Sequence, residues 1–304
     1  TTAVIRWNST LSSKLFSNTS LYYSSFNNTQ RTKSEEDGSV NLFKTTSKLN
    51  EWSIKSDFDY YISPEHVVRF GGKLSQLMFS PDILQLRNDE SETNLSEATK
   101  KQAFVSEGYL EDALEWQKLN ANIGIRAATY SIEGKTYFSL EPRIALNWTL
   151  KPDLTISASY MRNSQNLHLL TNSSLGLPTD LWVASTRNIA PQRADQYSLG
   201  IEKHISTKYT LGLEGYYKTM INVTRFNEGS AFLSGRDRNW ENNVSVGEGE
   251  AYGSEFMFRK ENARLNWMLA YTLSWSNQRF DDINRGRWFP FKYDRRHDFS
   301  ALID

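Results

Sequence analysis

The sequence alternates apolar and polar residues over long stretches. From Arg264 to Ser276, the odd positions are apolar or aromatic, as at Trp267, Leu269 and Tyr271, whereas most even positions are small or polar. A second stretch, from Phe138 to Leu150, places apolar residues at even positions and Glu141, Arg143 and Asn147 at odd ones. Because successive side chains of a β-strand point to opposite faces, this period of two predicts strands with one apolar and one polar face.

The same pattern recurs along the chain and predicts about thirteen strands. Their approximate ranges are 2–12, 19–33, 41–62, 66–80, 102–114, 117–131, 136–150, 154–169, 194–205, 208–226, 249–260, 264–280 and 296–304. Many of these ranges exceed the roughly 9–11 residues that a tilted strand needs to cross a bilayer. We therefore expect the strands to project beyond a membrane.

Short and long connections alternate between these strands. Short turns are predicted at Ser63–Glu65, Lys151–Asp153, Ser206–Thr207 and Glu261–Ala263, where Pro64 and Pro152 favour turns. Longer polar segments lie between them, at 34–40, 81–101, 170–193, 227–248 and 281–295, and only the link near 132–135 is short where a long one is expected. Short turns on one side and long loops on the other are typical of a bacterial outer-membrane barrel.

Composition agrees with a barrel and excludes several other classes. The chain has 304 residues, no cysteine, and 35 basic against 35 acidic residues, so neither a disulfide scaffold nor a nucleic-acid binder is indicated. Only 38% of the residues are hydrophobic, and none of the apolar runs approaches the ~18 residues of a membrane helix. Low hydropathy is compatible with a membrane barrel because only alternate side chains face lipid.

We therefore predict an all-β fold, an antiparallel up-and-down transmembrane β-barrel. Aromatic residues make up 13% of the chain, and several of them fall on the apolar faces and suit the membrane interface, namely Trp148, Trp267, Trp275, Tyr160, Tyr217 and Tyr271. The alternative is a soluble β-sandwich, in which the same aromatics would be core residues. Strand length and loop asymmetry favour the barrel.

Five segments, in this order, resemble TonB-dependent outer-membrane receptors of the Bacteroidetes type. They are Leu140–Arg143; Ser159–Met161 with Gln165 and His168–Leu170; Gln192–Gly200; Ala251–Glu255; and Tyr293–Asp298. The resemblance is strongest from about residue 100 onward and matches the middle and later part of the barrel.

The resemblance implies a bacterial outer-membrane protein with a barrel of about 22 strands filled by an N-terminal plug. It implies an active transporter for a scarce nutrient such as an iron chelate, cobalamin, a glycan or a peptide, driven by the TonB complex through the plug. Outer-membrane lipid and a surface lipoprotein would be partners, and nucleic acid would not. Two alternatives stay open, a passive porin or barrel adhesin and a secreted carbohydrate-binding β-sandwich.

We expect residues 1–304 to be one partial barrel domain, without the plug or the C-terminal strands. An odd number of strands leaves the first and last strands running in the same direction, so they cannot pair antiparallel. Unpaired edges in lipid would each leave backbone groups unsatisfied.

Two sets of candidate site residues follow from the face assignment. On the polar faces, Arg126, Glu141 and Arg143 are predicted to point into the lumen, where Glu141 and Arg143 would touch a plug. In the long loops, arginines beside aromatics are predicted to bind ligand. These loop residues are Trp182, Arg187, Arg236, Trp240, Arg287 and Trp288. Packing of the loops against each other is the competing interpretation.

The sequence carries no motif of an enzyme, a cofactor site or a metal site. It has no G-x-S-x-G, P-loop or H-E-x-x-H pattern. The four histidines, His66, His168, His204 and His297, lie near strand ends or turns without ligand spacing. We therefore predict a protein that is not an enzyme and that holds no cofactor.

Overall fold

The computed structural model describes residues 1–36, 39–88, 91–94, 100–170, 181–227, 240–261 and 264–304. At residues 30, 32–36, 39–45, 81–88, 91–94, 181, 240 and 243, only the backbone is described. No helix in these ranges has the length and apolar character that crossing a membrane requires.

The described residues form seventeen strands and two short 3-10 helices. The strands are β1 (Thr2–Thr10), β2 (Leu15–Glu36), β3 (Ser39–Ser63), β4 (His66–Asn88), β5 (Ser91–Asn94), β6 (Lys101–Trp116), β7 (Leu119–Ile132), β8 (Lys135–Lys151), β9 (Leu154–Gln165), β10 (Leu167–Leu170), β11 (Leu181–Ala184), β12 (Gln192–His204), β13 (Tyr209–Phe226), β14 (Val244–Lys260), β15 (Trp267–Arg279), β16 (Phe289–Pro290) and β17 (His297–Ile303). The 3-10 helices are Trp240–Asn243 and Asn284–Gly286.

One antiparallel sheet of 15 strands contains almost all of the fold. Two of its strands, β5 and β16, have only 4 and 2 residues, which leaves the thirteen long strands that the alternation predicts. Each long strand pairs with the next long strand along the chain, from β1 at one edge to β17 at the other. This up-and-down order confirms the partial barrel and contradicts the β-sandwich alternative.

The predicted short turns are confirmed, but two of the predicted long loops are wrong. Strands β2 and β3 extend into the predicted loop 34–40, where Glu36 pairs with Ser39, and β4 extends into the predicted loop 81–101 as far as Asn88 and pairs there with β5. Short turns follow β1, β3, β6, β8, β12 and β14, so they all lie at one end of the sheet, here called the short-turn end. At the opposite, long-loop end, Ile132 pairs directly with Lys135 in the one link that the sequence analysis found too short. Glu133 and Gly134 there have positive φ values of 51° and 76°, as a two-residue hairpin turn requires.

The two faces of the sheet differ as the period of two predicts. Leu74, Phe104, Leu140 and Leu213 are at least 45% exposed on the outer face. The inner face carries charged side chains that pair with each other, most of them across strands and Lys55 with Asp57 along β3. These ion pairs are Lys73–Glu51 at 2.8 Å, Lys55–Asp57 at 2.9 Å, Arg69–Asp59 at 3.4 Å and Arg126–Glu107 at 3.4 Å. Burying such charges in lipid would be costly, so the charged face is the lumen.

The predicted strand 154–169 is wrong near its end. The chain leaves the sheet after Gln165, and residues Leu167–Leu170 form β10, which pairs with β11 in a separate two-stranded sheet. The segment His168–Leu170 is a strand, as predicted, but it pairs with β11 and not with a strand of the large sheet. Tertiary contacts decide this change of partner, since the local pattern is unchanged.

Candidate functional site in the barrel mouth

The β10–β11 hairpin folds over the inner face of the sheet at the long-loop end. Ala184 and Leu167 pack against an apolar cluster whose members belong to β4, β6 and β7, including Phe79, Val105 and Ile132. On its other side, Val183 and Leu170 pack with Ile189, Phe226 and Val244. The hairpin therefore spans the mouth of the barrel between two parts of its wall.

Backbone carbonyls of the hairpin are held by side chains of the wall. Tyr130 Oη donates to the Ser185 carbonyl at 2.9 Å, and Tyr137 Oη donates to the Thr186 carbonyl at 2.8 Å. Ser47 Oγ donates to the Trp182 carbonyl at 3.3 Å. Hydroxyl groups on β3, β7 and β8 thus fix the hairpin at several points, so the mouth has a defined shape.

A buried histidine lies inside the hairpin. His168 is 1% exposed, and its Nε2 forms a 3.0 Å hydrogen bond with Ser185 Oγ. Burial disfavours the charged imidazolium and lowers the pKa of His168 to about 4. The sequence predicts only that His168 lies near a strand end. Its burial could not be predicted, because it depends on how the hairpin folds.

An ion-pair cluster joins the hairpin segment to two further loops. Lys101 Nζ lies 2.8 Å from Glu241 Oε1 and 3.1 Å from Glu133 Oε1, and Asn188 Nδ2 donates to Glu241 Oε2 at 2.7 Å. Burial raises the pKa of Glu241, but the hydrogen bonds from Lys101 and Asn188 outweigh it and leave this pKa below its usual value. Glu241 is therefore ionised at neutral pH and stabilises the packed loops.

The predicted lumen residues Arg126 and Glu141 form a tight pair. Arg126 Nε donates to Glu141 Oε2 at 2.8 Å, and Ser139 Oγ donates to Glu141 Oε1 at 2.8 Å. Ser164 Oγ also donates to Glu141 Oε1. Glu141 is 0% exposed, so its two oxygens are occupied by the wall itself. Arg143 is exposed on the same face, and contact of Glu141 or Arg143 with a plug stays a prediction.

An apolar cavity of about 250 Å³ lies between the hairpin and the wall. Phe26, Leu49 and Phe79 occupy one registered row across β2, β3 and β4 and form its floor. Trp182 and Leu167 of the hairpin also line it. The cavity has the size and apolar lining to hold a ring or a short aliphatic chain.

The other loop candidates are dispersed. Arg187 is exposed and lies shortly after β11 of the hairpin, and its carbonyl accepts a hydrogen bond from Lys135 Nζ at 3.1 Å. Arg287 and Trp288 lie in the loop after β15, where Trp288 packs under the Arg279 guanidinium at 5.1 Å. Arg236 and the side chain of Trp240 lie outside the described residues. Ligand binding by these six residues stays a prediction.

Two carboxylates face each other on the inner wall. Glu214 on β13 is directly opposite Glu255 on β14, and both side chains are exposed. In the described part of the chain, neither has an ion pair, in contrast to the paired charges on β3 to β8. Like charges that are directly opposite repel each other.

No metal site is found among the described residues: nowhere there do three or more histidine, aspartate or glutamate side chains form a cluster that could hold an ion.

Comparison with known proteins places the fold in a family. The family described as TonB dependent receptor-like, beta-barrel matches residues 2–300. No curated protein matches the chain.

Several solved structures share the fold. The siderophore receptor PirA from Acinetobacter baumannii has a TM-score of 0.67 at 13% identity, over 99% of this chain and 47% of that one. The ferric-catecholate import receptor Fiu from E. coli K12 has a TM-score of 0.66 at 12% identity, over 99% and 50%. FpvA from P. aeruginosa, bound to a heterologous pyoverdine, has a TM-score of 0.64 at 13% identity, over 99% and 42%. The chain spans about half the length of these structures.

The family match over almost the whole chain, together with the up-and-down sheet and its charged inner face, shows that this chain belongs to the TonB-dependent receptor β-barrel family.

Proposed function

We propose that this chain is the barrel of an active transporter in the bacterial outer membrane. It would import a scarce nutrient such as an iron chelate, cobalamin, a glycan or a peptide. Energy would come from the TonB complex, which acts through a plug domain. The single observation that carries this proposal is a receptor-family barrel whose lumen is lined by charge and whose mouth holds a preformed cavity.

Two groups of outward aromatic residues support the membrane location. Near the short-turn end, Tyr209, Phe258 and Trp267 pack with ring centroids 5.0–6.3 Å apart. Nearer the long-loop end, a registered row on the same face contains Tyr160, Tyr197, Tyr217, Tyr252 and Trp275. Roughly eight residues of strand separate the two groups, and on strands tilted by about 40° this is a height of about 20 Å, comparable to the ~25 Å apolar band of a membrane barrel. Tyrosine and tryptophan favour both membrane interfaces.

The inner acid pair supports a docked basic partner in the lumen. Glu214 and Glu255 repel each other in the barrel alone, and a cationic group between them would remove that repulsion. Basic side chains of a plug domain have the chemistry to supply it. Arg143, exposed on the inner face of β8, is a second point of contact for such a domain.

Iron chelates are the first cargo to test, because the solved structures of similar fold include receptors for siderophores and ferric catecholate. Trp182 and the apolar cavity would bind an apolar part of the cargo. A surface lipoprotein could deliver it to the long loops. The segments that resemble Bacteroidetes receptors support that subtype of the family.

The decisive experiment compares energy-dependent uptake with passive conductance, using the full-length protein. Cells that carry it should accumulate a radiolabelled ferric chelate, cobalamin, glycan or peptide only while the proton-motive force is intact. The purified protein in a planar bilayer should remain closed. A steady open conductance, with uptake that survives an uncoupler, would instead support the passive porin.

A further inference from the structure

Two neighbouring strands of the barrel wall separate at the long-loop end. The β8–β9 ladder ends at Arg143–Met161, whereas β8 stays paired with β7 as far as Lys135. Likewise, β9 stays paired with β12 as far as Gln165. Pro142 is the first residue of β8 beyond the shared ladder, and a proline has no N–H to donate to a neighbouring strand. The wall therefore contains a wedge, called here the β8–β9 seam.

Residues of both faces line the seam. A cavity of about 290 Å³ lies in it, and its lining includes Glu107 and Arg126 from the inner face. The same cavity is lined by Phe138, Leu140 and Arg162 from the outer face. Phe138 and Leu140 belong to the part of β8 that has no partner in β9, so the cavity lies at this break in the ladder.

Side chains, instead of backbone bonds, bridge the two strands above the break. Ser164, on the same face of β9 as the outward Tyr160, donates to Glu141, which belongs to the inner face of β8. Ser164 Oγ also lies 3.1 Å from Ser139 Oγ. Opposite faces of the two strands thus meet across the seam, which means that the strands are rotated relative to each other there.

The outer half of the seam has an excess of positive charge. Asp195 accepts a 2.8 Å hydrogen bond from Arg162 Nε and lies 3.8 Å from Arg193 Nε. One negative carboxylate therefore faces two positive guanidinium groups. The bond from Arg162 to Asp195 uses Nε, and Arg162 and Arg193 both line the cavity. On the inner half, Arg126 instead has two carboxylates, Glu107 and Glu141. An anion would therefore be attracted to the outer half.

The outer half lies at the level of the lipid headgroups. Tyr160 and Tyr197 stack on the outer face with ring centroids 4.9 Å apart, and Tyr160 Oη donates to Asp195 at 2.7 Å. Arg162 follows Tyr160 on that face, one step closer to the long-loop end. On the hydrocarbon side of the arginines, Ile144 is paired with Tyr160 and is 39% exposed, and Leu146 follows it on the same outer face, so both present apolar surface to the bilayer.

We propose that the β8–β9 seam binds a phosphate-bearing lipid of the outer leaflet. Arg162 and Arg193 bind the phosphate, since the planar guanidinium matches phosphate oxygens and forms charge-assisted hydrogen bonds. Ile144 and Leu146 contact the first part of the acyl region. Asp195 is a positioning residue that orients both arginines. The proposal requires the membrane location proposed above, but it is independent of the cargo and of TonB.

The test uses the full-length protein, purified from outer membranes and stripped of lipid in a mild detergent. Native mass spectrometry would follow titration with lipid A and with the same lipid A after removal of its phosphates. We expect wild-type protein to bind the phosphorylated form at least about tenfold more tightly, the effect of one charge-assisted contact. Arg162→Gln/Arg193→Gln should abolish this preference.

Arg279→Gln is the matched control. Arg279 also lies near the long-loop end and forms an ion pair with Glu248 at 2.5 Å, but it does not line the seam. This variant should keep the preference. If the double variant fails to fold, Arg193→Gln alone should reduce the preference several-fold, because Arg193 has the longer ion pair and the smaller structural role.

Two outcomes would overturn the proposal. One is an unchanged lipid preference in folded Arg162→Gln/Arg193→Gln. The other is binding of inorganic phosphate that competes fully with lipid A, which would indicate a phosphate site without lipid recognition. Absence of the protein from the outer-membrane fraction would instead contradict the proposed function, and is measured first.

Discussion

At the residue scale, the Arg126–Glu141 pair shows how a buried charge in the barrel wall is stabilised by hydrogen bonds. Glu141 is fully buried, and Arg126, Ser139 and Ser164 satisfy its oxygens. Removing one partner of a buried ion pair leaves the other without compensation, which costs more than the pair itself contributes. The pair therefore fixes the geometry of β7, β8 and β9 near the seam.

Glu141→Gln is expected to destabilise the barrel by about 2 kcal/mol, because the Arg126 guanidinium loses the closer of its two carboxylate partners. Urea unfolding of the refolded protein in detergent measures this change. Glu111→Gln is the control, since Glu111 lies 3.7 Å from an exposed Arg69 and should cost under about 1 kcal/mol. Equal losses in both variants would contradict the role of burial.

His168 gives the hairpin a dependence on pH. Its pKa is about 4 in the folded hairpin, against a usual value near 6.5, so the unfolded hairpin binds more protons between these values. Stability is therefore fully present above about pH 6.5 and is lost as pH falls toward 4. At pH 5 the loss should be about 2 kcal/mol.

Hydrogen exchange of residues 181–184 at pH 7 and pH 5, corrected for intrinsic rates, measures this effect. His168→Gln should have a less stable hairpin at pH 7 and little further change at pH 5. A wild-type hairpin whose protection is the same at both pH values would refute the prediction.

At the element scale, the hairpin depends on the wall more than on its own ladder. It has only four pairs of residues, from Leu167–Ala184 to Leu170–Leu181, and an isolated two-stranded hairpin is marginal in water. Apolar packing of Ala184 and Val183 and the tyrosine hydrogen bonds supply the remaining stability.

Tyr130→Phe/Tyr137→Phe is expected to loosen the hairpin by about 2 kcal/mol while the barrel remains folded, since each lost hydrogen bond contributes about 1 kcal/mol. Limited proteolysis within residues 181–190 should become faster. Tyr252→Phe, which changes an outward tyrosine of the aromatic row, should leave the rate unchanged. Unchanged cleavage in the double variant would show that apolar packing alone holds the hairpin.

At the scale of the whole molecule, the inner wall divides into two regions. On β3 to β8, carboxylates and cations pair with each other across strands. On β13 and β14, Glu214 and Glu255 are directly opposite and repel. The second region is therefore the one whose electrostatics a docked domain can improve.

Glu214→Gln is expected to stabilise the isolated barrel by up to about 1 kcal/mol, since it removes the repulsion across β13 and β14. In the full-length protein, the same change should weaken attachment of the plug. Thermal unfolding of both forms measures the two effects. A substitution that stabilises both forms equally would contradict docking of a basic group at this position.

Much of the wall follows from sequence alone. A period of two fixes which side chains share a face, so the lumen position of Arg126, Glu141 and Arg143 and the outward position of Trp267 and Tyr271 could be predicted locally. Turn residues such as Pro64 and Pro152 also act locally. For the same reason, the thirteen long strands and their order were predictable.

The mouth and the seam depended on tertiary structure. The hairpin forms because His168–Leu170 pairs with a segment beyond residue 180, and no periodicity encodes a partner at that distance. Burial of His168, the cavity beside Trp182 and the meeting of Ser164 with Glu141 all follow from contacts between distant segments. The sequence by itself determined the wall and its two faces, because alternation is a property of each strand. Only the tertiary structure decided what fills the mouth and where the wall opens, because those depend on which strands and loops meet.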